Sequence, residues 1–161
     1  MTGPDRAPIV FPSFDNQQAF RMTIAQPPVS PHAALIYTMI LVSAVDGNMP
    51  SLEMRRIGQI VQGWPVFSAY DPEQLIETAQ ECAVMLQTND GLDRVLAIIG
   101  SSIPSHLRET AYLIACDVAA VDGRVPFVES RMLARLRHVL GIDPLVAAAL
   151  ERAITARHAR I

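Results

Sequence analysis

One stretch of this chain is written twice, and it limits the fold more than any other feature. Ala44-Val-Asp-Gly-Asn-Met-Pro-Ser-Leu-Glu-Met-Arg55 recurs as Ala120-Val-Asp-Gly-Arg-Val-Pro-Phe-Val-Glu-Ser-Arg131. Asp46 and Asp122, Gly47 and Gly123, Pro50 and Pro126, Glu53 and Glu129 all correspond at one offset of 76 residues. Each copy follows an apolar run, Ala33 to Val45 or Ala111 to Val121, and precedes an amphipathic one, Leu52 to Val61 or Val128 to Leu140. A helix, a tight acidic turn and a second helix therefore occur twice. Such internal self-similarity points to a repeated supersecondary unit.

The rest of the chain supports a helical reading. Ser30-Pro31 pairs a capping side chain with proline at the first helical position, and the helix it opens is expected to run to about Val45. That helix is apolar on nearly every face, which suits the buried centre of a bundle. Further helices are expected over about 50–62, with Leu52, Ile57, Ile60 and Val61 inward and Arg55, Arg56 and Gln59 outward, then over 71–87, 92–99, 105–121, 127–140 and from Asp143-Pro144 onward. Asn89-Asp90-Gly91 reads as a turn, and a loop is expected over 100–104. No stretch alternates with period two for long enough to make a strand. The fold class is all-α: one domain of about seven helices over residues 30–161, with an internal pseudo-two-fold helix-turn-helix repeat.

Residues 1–29 form a separate arm. Pro4, Pro8, Pro12, Pro27 and Pro28 rule out a regular helix through most of it, yet it carries Phe11, Phe14 and Phe20, three of only five phenylalanines. Burying one phenylalanine contributes about 1.5–3 kcal/mol, so docking over an apolar groove, its own or a neighbour's, is favoured over a flexible tail with apolar anchors.

Composition narrows the function classes. Half of the 161 residues are apolar and mean hydropathy is +0.25, which excludes disorder across the whole chain. The longest apolar run has 13 residues, against the roughly 20 that cross a bilayer. No transmembrane segment or export signal is expected, and a cytoplasmic location follows. Cys82 and Cys116 lie in apolar helical runs and are expected to be reduced core residues. Charge is uneven, −7 over residues 1–122 and +4 over 123–161, and every cation is arginine. The C-terminal arginines lack aromatic interleaving or a recognition motif, so no nucleic-acid partner is expected. His32, His106, His138 and His158 lack the i, i+4 pairing of a helical zinc site. No nucleophile elbow, phosphate-binding glycine loop or Cys-x-x-Cys is present, and the chain is not expected to be an enzyme.

The repeated turn itself carries the chemistry. Asp-Gly-x-(apolar)-x-x-x-Glu copies the second half of an EF-hand loop, but the first two ligand positions hold Val42 and Ala44 in one copy and Val118 and Ala120 in the other. Calcium takes six to eight oxygens, so neither turn alone is an EF-hand. Two half-sites could pool Asp46, Glu53, Asp122 and Glu129 around one divalent cation. A structural reading stands beside this. Asp-Gly ends helices, and glutamate suits a first helical turn. A reciprocal capping box is blocked, because Pro50 and Pro126 occupy the serine or threonine position. Asp117 is the fifth candidate. It interrupts an apolar helix where the first copy has Leu41, and is either a metal ligand, an ion-pair partner of an arginine, or solvated.

At these residues the chain resembles the TerB-like family, the tellurite-resistance-associated helical domain related to the N-terminal region of DjlA-type membrane co-chaperones. The resemblance rests on the doubled Val-Asp-Gly-x-(Met/Val)-x-x-x-Glu and on Ala115-Cys-Asp-Val-Ala-Ala-Val-Asp-Gly123, and covers about residues 31–158. It implies a compact helical bundle with acidic positions Asp46, Glu53, Asp122, Glu129 and Asp117. It further implies a non-enzymatic role in metal, tellurite or chemical-stress response, with calcium, manganese or zinc as the cation. A homo-oligomer, a protein partner or a peripheral membrane-proximal complex would be the setting. The alternative is an interaction scaffold whose apolar groove takes a peptide or partner helix.

Overall fold

A computed structural model describes residues 28–44, 51–120 and 130–161, the side chains of residues 51 and 52 excepted. The described residues contain seven α-helices and no strand: α1 Pro31–Ser43, α2 Ser51–Gly63, α3 Leu75–Leu86, α4 Gly91–Ser102, α5 Arg108–Ala119, α6 Arg131–Leu140 and α7 Pro144–Arg157. Short 3₁₀ turns at Pro65–Phe67, Pro72–Gln74 and Ser105–Leu107 join them. The chain is all-α, as its patterning requires.

Helix α1 is the axis. Its start is fixed by Ser30, whose Oγ accepts from the Ala33 amide at 3.1 Å, with Pro31 supplying a pre-set φ. Every residue from Ala34 to Leu41 is buried, because α1 is enclosed by α5, α3, α4 and α6. Thr38 in that stretch and Ser43 just beyond it return their hydroxyls to the carbonyls of Ala34 and Met39 at 2.9 and 3.1 Å, so neither leaves a buried donor unmatched. Helix α5 packs along α1 and is covered on its other side by α7 and α6. Each central helix is tied outward by a tyrosine. Tyr37 donates to Glu81 on α3 at 3.4 Å, and Tyr112 donates to Glu151 on α7 at 2.6 Å.

Element ends differ from the sequence expectation in four places. The helix expected over 71–87 opens as a 3₁₀ turn, capped by Asp71 on the Glu73 amide, and becomes α-helical at Leu75. The helix expected from 105 likewise opens as a 3₁₀ turn before α5. Helix α4 runs three residues past its expected end and absorbs the loop placed at Gly100. A Cβ at Gly100 would lie 2.8 Å from Val139 Cγ1, so that glycine marks close approach of α4 to α6 rather than a break. Helix α6 starts at Arg131, not Phe127, because Ser130 is extended and its Oγ caps the Leu133 amide at 3.3 Å. Gly141, with φ +63°, closes α6 in the left-handed conformation. The 1–29 arm, apart from residues 28 and 29, lies outside the described residues.

Candidate functional site

Helices α1 and α5 reach their caps at Ala44 and Ala120, in register at the 76-residue offset. The acidic segments follow directly. Asp46, Asp122 and Glu129 lie outside the described residues. Glu53 sits in the first turn of α2, half-buried. Among the described residues no three His, Cys, Asp or Glu side chains cluster closely enough to hold a metal ion.

The anchors of the two segments are interleaved. Ala44 and Leu41 at the end of α1 share a 230 Å³ cavity with Met132 at the start of α6, together with Leu86 and Leu92. Near the end of α5, Asp117 is bonded to Arg56 of α2. The first acidic segment thus leaves α1 beside the helix that the second segment enters. The second leaves α5 beside the helix that the first enters. These two junctions are also equivalent by sequence: Leu41 corresponds to Asp117 and Met132 to Arg56 at the 76-residue offset. One junction is apolar and the other ionic.

Asp117 is fully buried. Its Oδ2 accepts from Arg56 Nη2 at 2.5 Å, and its Oδ1 accepts from His158 Nε2 at 2.8 Å. Arg157 Nε lies 3.5 Å from the same Oδ1. Of the readings open for Asp117 from sequence, it is the arginine-paired one that the coordinates display; the residue is not solvated. A buried carboxylate needs such partners, since unpaired burial of a charge is costly. The pairing also turns Arg56 inward, although the amphipathic pattern of α2 puts it outward. It fixes the end of α7 as well, through Arg157 and His158, neither of which sequence reasoning assigned to a site. The one available signal was Asp117 itself, whose burial demanded a cation from elsewhere.

Beside this hub is a polar cleft of 330 Å³ lined by Arg56, Gln59, Ile60, Gly63, Trp64, Pro65 and Arg157. Two other concavities are apolar. One, of 560 Å³, runs between α4 and α6 over Leu96, Ala97, Gly100 and Val139, rimmed by the exposed Arg135–Asp93 pair at 2.7 Å. The other lies between α2 and α3 over Met54, Ile76, Ala79, Gln80 and Ala83. His32 packs on Phe67 and Tyr70, and its Nε2 donates to the Val66 carbonyl at 3.0 Å. It serves the core.

The two cysteines are free and buried. Burial pushes each thiol up from 9.0 to about 12. A thiolate is the nucleophile and the metal ligand, so both side chains are inert at neutral pH and act as small core residues.

An all-helical domain with two central helices, each ending at an acidic segment, defines the class. A family model described as tellurite resistance protein TerB matches residues 32–152, well over half of the chain, and the chain belongs to that family. No curated protein and no solved structure gave a match. Among the described residues no helix is long and apolar enough to cross a membrane.

Proposed function

We propose that this TerB-family domain is non-enzymatic and binds one divalent cation through the paired acidic segments, Asp46 and Glu53 with Asp122 and Glu129, in a tellurite or chemical-stress response. The observation that supports this reading is the interleaving of the anchors. Ala44 lies beside the start of α6, and the end of α5 lies beside α2, so the helices that anchor one segment neighbour those that anchor the other. A donor set of carboxylates without imidazole or thiolate suits hard cations, calcium or manganese over zinc. Asp117, with Oδ2 on Arg56 and Oδ1 on His158, supports the end of α5 in this scheme. Calorimetric titration of metal-free protein with calcium, manganese and zinc is the test. Binding tighter than millimolar that disappears in Asp46→Asn/Asp122→Asn is expected; no binding, or binding unchanged in that variant, removes the proposal.

A second reading draws on a different observation. Ile76 and Val84 are 67% and 64% exposed on α3, and Ile76 borders the apolar cleft against α2. Exposed apolar side chains beside a groove suit a docked helix or peptide, and residues 1–29, with three phenylalanines, are one candidate occupant. Deleting residues 1–29 then exposes the cleft and promotes self-association, while metal affinity hardly changes. A truncated protein that remains monomeric and equally stable excludes arm docking.

A further inference from the structure

Among the described residues, the polar cleft between α2, the Trp64–Pro65 turn and the end of α7 has more positive charge than its acidic partners neutralise. Asp117 supplies one negative charge, whereas Arg56 and Arg157 both approach it. Two guanidinium charges thus face one carboxylate charge, and one guanidinium is left over. The donors are also underused. Among the described residues Arg56 Nη1 reaches only Gln59 Oε1, at a long 3.4 Å, and its Nε is buried with no acceptor. Among the described residues the sole polar contact of Arg157 is that of its Nε with Asp117. Arginine forks without a matched acceptor are geometrically suited to a carboxylate.

We propose that this cleft binds a small organic carboxylate, its charged end on Arg56 and Arg157 and its body against Trp64, Pro65 and Ile60. A single negative charge completes the balance that Asp117 begins; a phosphate group carries about −1.5 to −2 at neutral pH and overshoots it. The cleft volume of 330 Å³, against about 30 Å³ for one water in the liquid, leaves room for an organic body beyond the carboxylate. The proposal does not depend on the acidic segments binding a metal.

Trp64 is the only tryptophan, so its fluorescence reports on this cleft without labelling. The experiment titrates the full chain with benzoate, benzamide and inorganic phosphate, each at constant ionic strength set with chloride. Benzoate is expected to give a saturable change at millimolar or lower concentration, with benzamide and phosphate at least tenfold weaker. Arg157→Gln and Gln59→Glu, both at exposed positions and neither part of the core, are expected to weaken benzoate at least tenfold. An equal response to benzamide would show an apolar site and overturn the proposal. So would a preference for phosphate, a merely linear response, or unchanged benzoate affinity in both variants.

Discussion

The Leu41–Met132 junction and the Asp117–Arg56 junction occupy equivalent places in the repeat and are built from opposite chemistry. At the first, α1 ends against α6 around a small cavity walled by Leu86, Leu92 and Met132. At the second, α5 holds a carboxylate with no exposure against a guanidinium whose side chain retains 19%. Equivalent positions of the sequence repeat accept either solution, because each buries its own surface consistently: apolar against apolar, or charge against opposite charge. The difference is in what else each can do. An apolar junction only packs, whereas the ionic one recruits Arg157 and His158 from α7 and creates a cleft with spare donors. Divergence of one repeat at a buried position has here tied a third element to the pair.

Crossing the two chemistries without their partners breaks the comparison most severely. Leu41→Asp buries a carboxylate among apolar walls, and is expected to cost upward of 4 kcal/mol in urea unfolding, or to prevent folding. The converse, Asp117→Leu, strands Arg56, and is expected to cost about 3 kcal/mol, since the guanidinium is not fully enclosed. Adding Arg56→Met rebuilds the apolar pair of the other repeat, and is expected to recover all but about 1 kcal/mol. If the double variant is no more stable than Asp117→Leu alone, the two junctions are not interchangeable.

Smaller effects sharpen the contrast between packing and charge elsewhere. Gly100→Ala forces Val139 aside, and is expected to cost about 1–2 kcal/mol without altering salt dependence. Removing the exposed Arg135–Asp93 pair is expected to change stability by less than about 1 kcal/mol, and by less again at high salt. The thiols give a pH window. Because burial raises Cys82 and Cys116 from 9.0 to about 12, the unfolded chain loses those protons first. The stabilisation is complete below about pH 9 and is lost as pH rises toward 12. Cys82→Ala should flatten that alkaline decline, and neither thiol of the folded protein should react with alkylating reagents at neutral pH.

Much of this fold can be read from residues alone, for physical reasons. Ser30-Pro31 and Asp143-Pro144 open helices because their side chains and ring geometry satisfy a helix start locally, with Asp143 Oδ1 accepting from the Leu145 amide at 2.8 Å. The unbroken apolar run of α1 reports its central position for the same reason. Gly100 misleads because its role is a contact with Val139, invisible along the chain. The start of α6 misleads because Ser130 competes as a cap with a position three residues earlier. For the site, Asp117 stands out by its setting, but its partners Arg56 and His158 lie 61 and 41 residues away and no local spacing marks them. Of the acidic positions Asp46, Glu53, Asp122 and Glu129, only Glu53 falls within the described residues.

The most direct test of the shared cation site is the stoichiometry of manganese binding, counted by electron paramagnetic resonance, in the intact chain and in Asp46→Asn and Asp122→Asn separately. A site formed jointly by the two segments gives one ion per chain, lost in either single variant. Two ions per chain, with each substitution removing only one of them, or no bound ion at all, would contradict it.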